Sequence, residues 1–310
     1  MAKVLVTGGA GFIGSHVVDK LLASRHEAVV VDDLRAGKLA NLPDNVRCYQ
    51  IDVLSDEFER VFASERPRYV CHLAAQISVS SSLRAPEHDA ANNILGSIRV
   101  LECCRKHDVE RVVYASSAAV YGDPHYLPVD EAHPILPVSP YGISKHAAEQ
   151  YMHIYWLNHG LSCVVLRYAN VYGPRQDAHG EAGVVSTFIH RMLRGEQATV
   201  DGDGEQTRDF LYVEDAATAT VAGLEADLKE VQPVFNISTS QEASIKRLFD
   251  TTKALTGYTG SRAHGPARKG DIRRSVLGRQ KAQIHLHWEP TIVLDEGLSR
   301  TVLYFRGQVG

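Results

Sequence analysis

Through the first half of the chain, short continuous apolar runs alternate with stretches where apolar residues recur every three to four positions. The runs Val4-Leu5-Val6, Val29-Val30-Val31 and Val112-Val113-Tyr114 have no polar side, as expected for parallel strands covered on both faces; Arg47 to Ile51 alternates instead. Strands are expected near 3–7, 28–32, 46–51, 68–73, 111–116 and 163–168, and helices near 12–24, 56–64, 87–107 and 140–158. This alternation predicts an α/β fold built on a doubly wound parallel sheet. The pattern loosens after Asn170. Residues 172–183 and 201–209, rich in Gly, Asp and Gln, read as loops around a helix at about 184–194. Val234 to Ile237 reads as a further strand, followed by a helix at 244–256, a Gly/Arg/Lys-rich loop at 260–271 and a last helix around 294–305. The expected division is a sheet domain of 1–170, to which 211–240 returns, and a smaller C-terminal lobe of 171–210 and 241–310. The lobe would cover the sheet's C-terminal edge, where open α/β sheets bind ligands.

The composition adds exclusions. The 310 residues are 44% hydrophobic and 23% charged, enough for a full core. The formal net charge is −4 and no basic run follows, so no nucleic-acid partner is expected. No apolar stretch is long enough to span a bilayer, so no membrane partner is expected. Met1 leads directly into the first core strand, which argues against a signal peptide. Cys48, Cys71, Cys103, Cys104 and Cys163 form no CxxC spacing, and a reducing cytoplasm fits them best. His285 and His287 have no carboxylate or thiol beside them in sequence, so no metal site is expected there.

The first candidate chemistry lies where Lys3–Thr7 runs into Gly8-Gly9-Ala10-Gly11-Phe12-Ile13-Gly14 and then a helix. Glycines let backbone approach a pyrophosphate, and a helix N-terminus offers it N–H groups and a positive dipole end. The second strand ends at Asp32-Asp33, 18 residues beyond Gly14. A carboxylate there accepts hydrogen bonds from an adenosine 2′-OH and repels a 2′-phosphate, which selects NAD over NADP. Gly8, Gly11, Phe12, Ile13 and Gly14, with Asp32, Asp33 and Leu34, form the expected cofactor seat of a Rossmann sheet. The competing reading is a flexible glycine turn beside an ordinary strand-end acid.

The second candidate is a trio. Tyr141 and Lys145 are spaced i, i+4 and so share a helix face; Ser139-Pro140 reads as an N-cap followed by proline at the first helical position. Ser116 and Ser117 end the strand that begins at Arg111. Such a set suits removal of a proton from a secondary alcohol while hydride leaves for a nicotinamide. A phenol of pKa near ~10 is a weak base at neutral pH. An adjacent ammonium and a positive nicotinamide ring both favour phenolate. The expected roles are Tyr141 as base and acid, Lys145 as its electrostatic tuner and Ser117 as the donor that holds the substrate oxygen. Taken singly, each is also a common surface pair or strand end.

These residues resemble the extended short-chain dehydrogenase/reductases almost end to end. The matching segments are Thr7 to Gly14, His72 to Gln76, Ala115 to Gly122, Ser139 to Lys145 and Arg167 to Gln176. Within that superfamily the chain is most similar to UDP-glucose 4-epimerases and related nucleotide-sugar epimerases. Sugar-nucleotide dehydratases carry an Asp-Glu pair after the serines; this chain has Ala118-Ala119. The resemblance implies that Asp52 and Val53 flank the adenine, that Leu73, Ala74 and Ala75 line the cofactor, and that Asn92 approaches its nicotinamide half. It implies Asn170, Arg208, Arg268 and Asp271 as contacts of a nucleotide-sugar substrate, the arginines holding the diphosphate by paired donors. A surface ion pair to Asp209 or Asp271 is the alternative for either arginine. Asp201 stands where many relatives have an aromatic residue for the uracil, and His287 where many have glycine, a change expected to alter only a turn. Ser275 is small where bulk limits the sugar's C2 substituent, which would admit N-acetylated sugars.

The implied activity is C4 inversion through a 4-keto intermediate, with UDP-glucose/galactose, UDP-GlcNAc/GalNAc or a UDP-uronic acid as substrate. The rivals are a net dehydrogenase, reductase or decarboxylase with the same trio, and a silent NAD(H)-sensing scaffold. Apolar residues on more than one side of 87–107 and 140–158 (Ile94, Ile98 and Leu101; Ala147, Met152 and Ile154) match a pair that commonly forms a four-helix dimer interface in this superfamily. A homodimer is therefore expected.

Overall fold

In a computed structural model, residues 1–177, 183–228, 233–267 and 271–309 are described. The apolar runs become strands β1 (Lys3–Thr7), β2 (Glu27–Val31), β3 (Arg47–Tyr49), β4 (Tyr69–His72), β5 (Arg111–Ser117) and β6 (Ser162–Tyr168). Between them run α1 (Phe12–Ala23), α2 (Phe58–Glu65), α3 (Val79–Arg84), α4 (Pro86–Ala90), α5 (Gly96–Lys106) and α6 (Pro140–His159). The chain continues through β7 (Asn170–Tyr172), α7 (Val184–Leu193), β8 (Thr199–Asp201), β9 (Thr207–Arg208), β10 (Phe210–Tyr212) and α8 (Val213–Glu225). It ends with β11 (Val234–Ile237), β12 (Ala243–Ser244), α9 (Ile245–Thr256), β13 (Ala263–Gly265), β14 (Arg274–Ser275), α10 (Gln280–Leu286) and α11 (Leu294–Val309).

The central sheet has seven parallel strands in the order β11-β6-β5-β4-β1-β2-β3. Winding therefore reverses between β1 and β4, and a crevice opens beyond their carboxyl ends. Because side chains alternate along a strand, each strand feeds two cores. Val4, Val6, Val30, Cys71, Val113 and Leu166 pack against α1 and α8. Leu5, Val31, Val70, Val112, Tyr114 and Val165 pack against α2, α5 and α6. Each such side chain taken fully from water contributes roughly 1.5–3 kcal/mol. A third core, around Phe188, Phe210, Phe249 and Phe305, lies beyond the sheet's carboxyl edge and joins α7, α9, α11 and β10. Segment 280–288, expected in the lobe, instead packs Ala282, Leu286 and Trp288 with α8 under the sheet.

Several elements differ from the sequence reading, α3 and α10 being short helices outside its expected set. The helix expected over 87–107 is interrupted by a π-helical turn at Ala91–Leu95 between α4 and α5. Helix α8 has no counterpart among the expected elements: its outward stripe of Glu214, Thr218, Ala222 and Glu225 is narrow, and its buried side mixes alanines with Asp215 and Thr220, so the apolar–polar contrast is weak.

Candidate active site

The glycine turn is built for close approach. Gly8 has φ +70°, and a Cβ there would lie 2.7 Å from the Ala74 nitrogen. A Cβ at Gly14 would lie 2.0 Å from the Gly8 carbonyl oxygen. The Gly8 N–H donates to the Val31 carbonyl (2.8 Å) and the Gly11 N–H to the Gly8 carbonyl (3.2 Å), which folds the turn tightly over β1. Helix α1 starts at Gly11 with no side-chain cap and no acid in its first turn. By contrast, α6 and α9 are capped by the hydroxyls of Ser139 and Ser244. The first-turn N–H groups of an α-helix have no intrahelical partner, so α1 presents a bare positive end at the crevice beside Phe12 and Ile13.

Asp32 faces this turn and is 7% exposed. Its Oδ2 accepts the Ala10 N–H and its Oδ1 the Leu34 N–H, each at 2.9 Å. Burial pushes its pKa up against those bonds. Each oxygen keeps a further lone pair for a ribose hydroxyl. Asp33 accepts from Arg35, and Arg35 Nη2 reaches Asp52 Oδ2 at 2.6 Å, so one guanidinium spans the two acids expected around the adenosine. Arg35 is absent from the sequence reading of the site; its place between Asp33 and Asp52 depends on the loop that joins β2 to β3. Leu34 has φ +61°, and Val53 is buried below Asp52. The cradle that a Cβ would fill, the uncapped helix and the buried carboxylate together fit NAD.

Leu73, Ala74 and Ala75 follow β4 as a half-buried wall. His72 is held between Thr7 Oγ1 (2.7 Å) and Ser97 Oγ (3.0 Å), and burial lowers its pKa to about 3, so it stays neutral. Asn92, expected beside the nicotinamide half, is half-buried on the turn before α5. Its Nδ2 donates back to the His88 carbonyl at 2.7 Å. Its neighbour Asn93 is buried and ties this helix to α6: its Oδ1 accepts the Gln76 N–H (2.8 Å) and its Nδ2 donates to Ser144 Oγ (3.0 Å). The π turn adds a residue to the helix and rotates the following side chains, a shift that a 3.6-residue period does not foresee.

The trio meets at the crevice. Ser139 accepts the Gly142 N–H and Pro140 opens α6, so Tyr141 and Lys145 project from its first two turns. Lys145 is 3% exposed; its Nζ donates to the Ala115 carbonyl (2.8 Å) and lies 5.9 Å from the Tyr141 ring centroid. Burial raises the pKa of the half-buried Tyr141 phenol above the ordinary 10.0; the nearby Ser117 hydroxyl opposes the rise and Asp89 adds to it. In the protein alone, then, the phenol does not have the lowered pKa expected from the lysine's neighbourhood. Burial lowers Lys145 to about 8, against the carboxylates of Asp89 and Glu149. Ala118–Val120 forms a 3-10 turn after Ser117, with no acid in it.

Arg208 lies on β9, its register partner on β14 being Ser275. Its Nη1 donates to the Thr207 and Ile272 carbonyls, both at 2.7 Å, and its Nη2 to Asp271. The structure thus brings Arg208, Asp271 and Ser275 together. Next to them, Asp209 is buried and accepts from Thr239 N, Thr239 Oγ1 and Ser240 N; burial raises its pKa to about 6. The Asn170 N–H donates to the Asp209 carbonyl at 2.9 Å, and Asn170 is exposed at the start of β7. Arg268 lies outside the described residues. His287 has φ +51° at the end of α10, a turn position of the kind glycine favours. Among the described residues there is no cluster of three metal-ligating side chains, and no helix long and apolar enough to cross a membrane.

A coenzyme cradle at the switch point and a Tyr-Lys-Ser cluster across the crevice define an NAD-binding oxidoreductase-type site. Residues 4–238 match the model of the NAD dependent epimerase/dehydratase family, and the chain belongs to that family. It is similar to the UDP-glucose 4-epimerase of Thermotoga maritima, solved with UDP-glucose: 46% identity, 99% of this chain and 100% of that one, TM-score 0.96. The UDP-glucose 4-epimerase of Thermus thermophilus, solved with NAD, is 41% identical over 98% of this chain and 99% of that one, TM-score 0.92. The UDP-glucose 4-epimerase of Mycolicibacterium smegmatis is 40% identical over 99% of both chains.

Proposed function

We propose that the chain catalyses NAD-dependent inversion at C4 of a nucleotide-diphosphate sugar, UDP-glucose and UDP-galactose first among them. The observation that carries this reading is buried Lys145, its Nζ donating to the Ala115 carbonyl and lying 5.9 Å from the Tyr141 ring centroid, with Ser117 at the end of the same strand and an uncapped α1 at the crevice. The glycine turn and Asp32 would hold NAD, which would supply a reversible hydride acceptor for C4. Tyr141 takes the O4 proton and gives it back. Ser117 holds that oxygen through its alcohol and ketone forms. Lys145 in its ammonium form favours the phenolate. Arg208, Arg268, Asp271 and Asn170 hold the diphosphate end while the 4-keto sugar turns over and accepts hydride on its other face. The lobe of 171–210 and 241–310 would carry all of these but Asn170, which ends the sheet domain. Ser275 beside Arg208 leaves room for an acetamido group at C2, so UDP-GlcNAc belongs among the substrates to try.

The functional unit we infer is a homodimer. Leu95, Ile143, Tyr151, Ile154 and Leu157 are exposed on α6 and at the start of α5, an apolar face that a second copy would cover. The five cysteines are free thiols, in support of a reducing, cytoplasmic setting.

The test is purified protein with UDP-glucose or UDP-GlcNAc, followed by NMR for the C4 epimer. No epimer from any UDP-, GDP- or dTDP-sugar sinks the reading, and net change at 340 nm during turnover assigns the chain to its redox rival instead. Tyr141→Phe should leave NAD content unchanged and cut turnover by about a thousandfold, the scale of a lost general acid–base group. Near-normal turnover removes Tyr141 from its role.

A further inference from the structure

Behind the trio lies a buried ion pair that the chemistry above does not use. Ser116 on β5 and Arg167 on β6 are register partners. The alternation that turns Ser117 to the crevice turns Ser116 the other way, beneath α6. There both meet Glu149, one turn beyond Lys145. Glu149 Oε1 accepts the Ser116 hydroxyl (2.5 Å) and Arg167 Nε (3.0 Å). Its Oε2 accepts Arg167 Nη2 (2.6 Å) and lies 3.2 Å from His146 Nδ1. Ser116, Glu149 and Arg167 are all buried. Arg167 Nη1 donates onward to the Tyr121 hydroxyl (2.9 Å), which donates to Asn236 Oδ1 on β11 (2.7 Å).

Such a pair is a poor source of stability, because desolvating two charges consumes most of their attraction. Ala148, Met152 and Tyr155 already hold α6 on the sheet by apolar contact. An apolar face tolerates sliding, whereas a two-point guanidinium–carboxylate pair with a hydroxyl on one oxygen admits one register. The helix so pinned carries Tyr141 and Lys145, and the strand so pinned carries Ser117.

We propose that Glu149, acting through Ser116 and Arg167, is a positioning residue that sets the spacing of Tyr141 and Lys145 against Ser117. The activity arm of its test rests on the epimerase reading; a second arm does not. Ser116→Ala removes the strand-side tie and leaves the ion pair in place, so the fold is kept. It should lower kcat by about tenfold at unchanged KM and NAD content, with only the small drop in melting temperature of one lost hydrogen bond, since small misplacements of reacting groups are costly. Ser116→Thr, which keeps the hydroxyl, should restore kcat. Glu149→Gln with Arg167→Met removes both charges together and should deepen the loss to about a hundredfold. Independently of turnover, 13C NMR of ring-labelled tyrosine should show the Tyr141 phenol titrating at higher pH in Ser116→Ala, because the Ser117 hydroxyl that favours its phenolate is no longer held beside it. If the wild type lacks epimerase activity, that titration alone decides, and a shift supports the proposal. An unmoved Tyr141 titration, with kcat within twofold where kcat is measurable, overturns it. A kcat loss matched by lost NAD and a large fall in melting temperature overturns it too, since the tie would then be structural only.

Discussion

Lys145→Met should stabilise the coenzyme-stripped protein while abolishing its turnover. The lysine's pKa falls from 10.5 to about 8 on folding, chiefly through burial. A fall of about 2.5, at ~1.4 kcal/mol per pKa unit, means that holding the ammonium in the fold costs about 3 kcal/mol. Methionine keeps the unbranched chain and drops the charge. It also loses the bond from Nζ to the Ala115 carbonyl, worth about 1 kcal/mol. The net gain is about 2 kcal/mol at pH 7. Below pH 8 folded and unfolded chains both hold the proton, and the full cost stands. Between about 8 and 10.5 the folded lysine has released its proton while the unfolded one retains it, so wild-type stability rises with pH and the variant's advantage fades. Urea unfolding of both proteins at pH 7 and pH 10 measures this. A variant less stable than wild type at pH 7, or an advantage equal at both pH values, refutes the argument that Lys145 is retained against the interests of the fold.

Gly14→Ala places a methyl 2.0 Å from the Gly8 oxygen, backbone against backbone, so the purified variant should carry no NAD; full occupancy by mass spectrometry of released ligands contradicts the cradle. Arg208→Ala removes the donors to Asp271, Thr207 and Ile272 and should weaken UDP binding in calorimetry by roughly 10- to 100-fold, the range for hydrogen bonds to a charged group. Unchanged affinity frees Arg208 of the diphosphate. Ile143→Glu with Leu157→Glu should halve the mass seen by light scattering, and a wild type that is already monomeric disposes of the dimer.

What can be read in the sequence is what depends on short-range pattern. The apolar runs of β1, β2 and β5, the turn from Gly8 to Gly14 and the cap at Ser139 each announce themselves within a dozen residues. Tyr141, Lys145 and Ser117 are legible because a helix start and a strand end have predictable directions. The π turn at Ala91–Leu95 is not legible, because a regular helical period hides it. Helix α8 escapes detection because its buried side includes alanines, Thr220 and Asp215, which contrast little with its narrow outward stripe. Glu149 and Arg167 give no signal, since each looks like an ordinary charge until β5, β6 and α6 are stacked. The raised pKa of Tyr141 is equally hidden, because desolvation is a property of the assembled fold.

At the switch point, the peptide groups of Gly8 and Ala74 stand so close that even a methyl has no room between them. The width of the coenzyme slot is thereby gauged by main chain rather than by side chains. Residues along its rim are free to vary in charge and bulk, tuning which dinucleotide or sugar is welcome, without prising the two halves of the sheet apart. Recognition and architecture are uncoupled here, so the same slot lends itself to new chemistries at little risk to the frame that holds it.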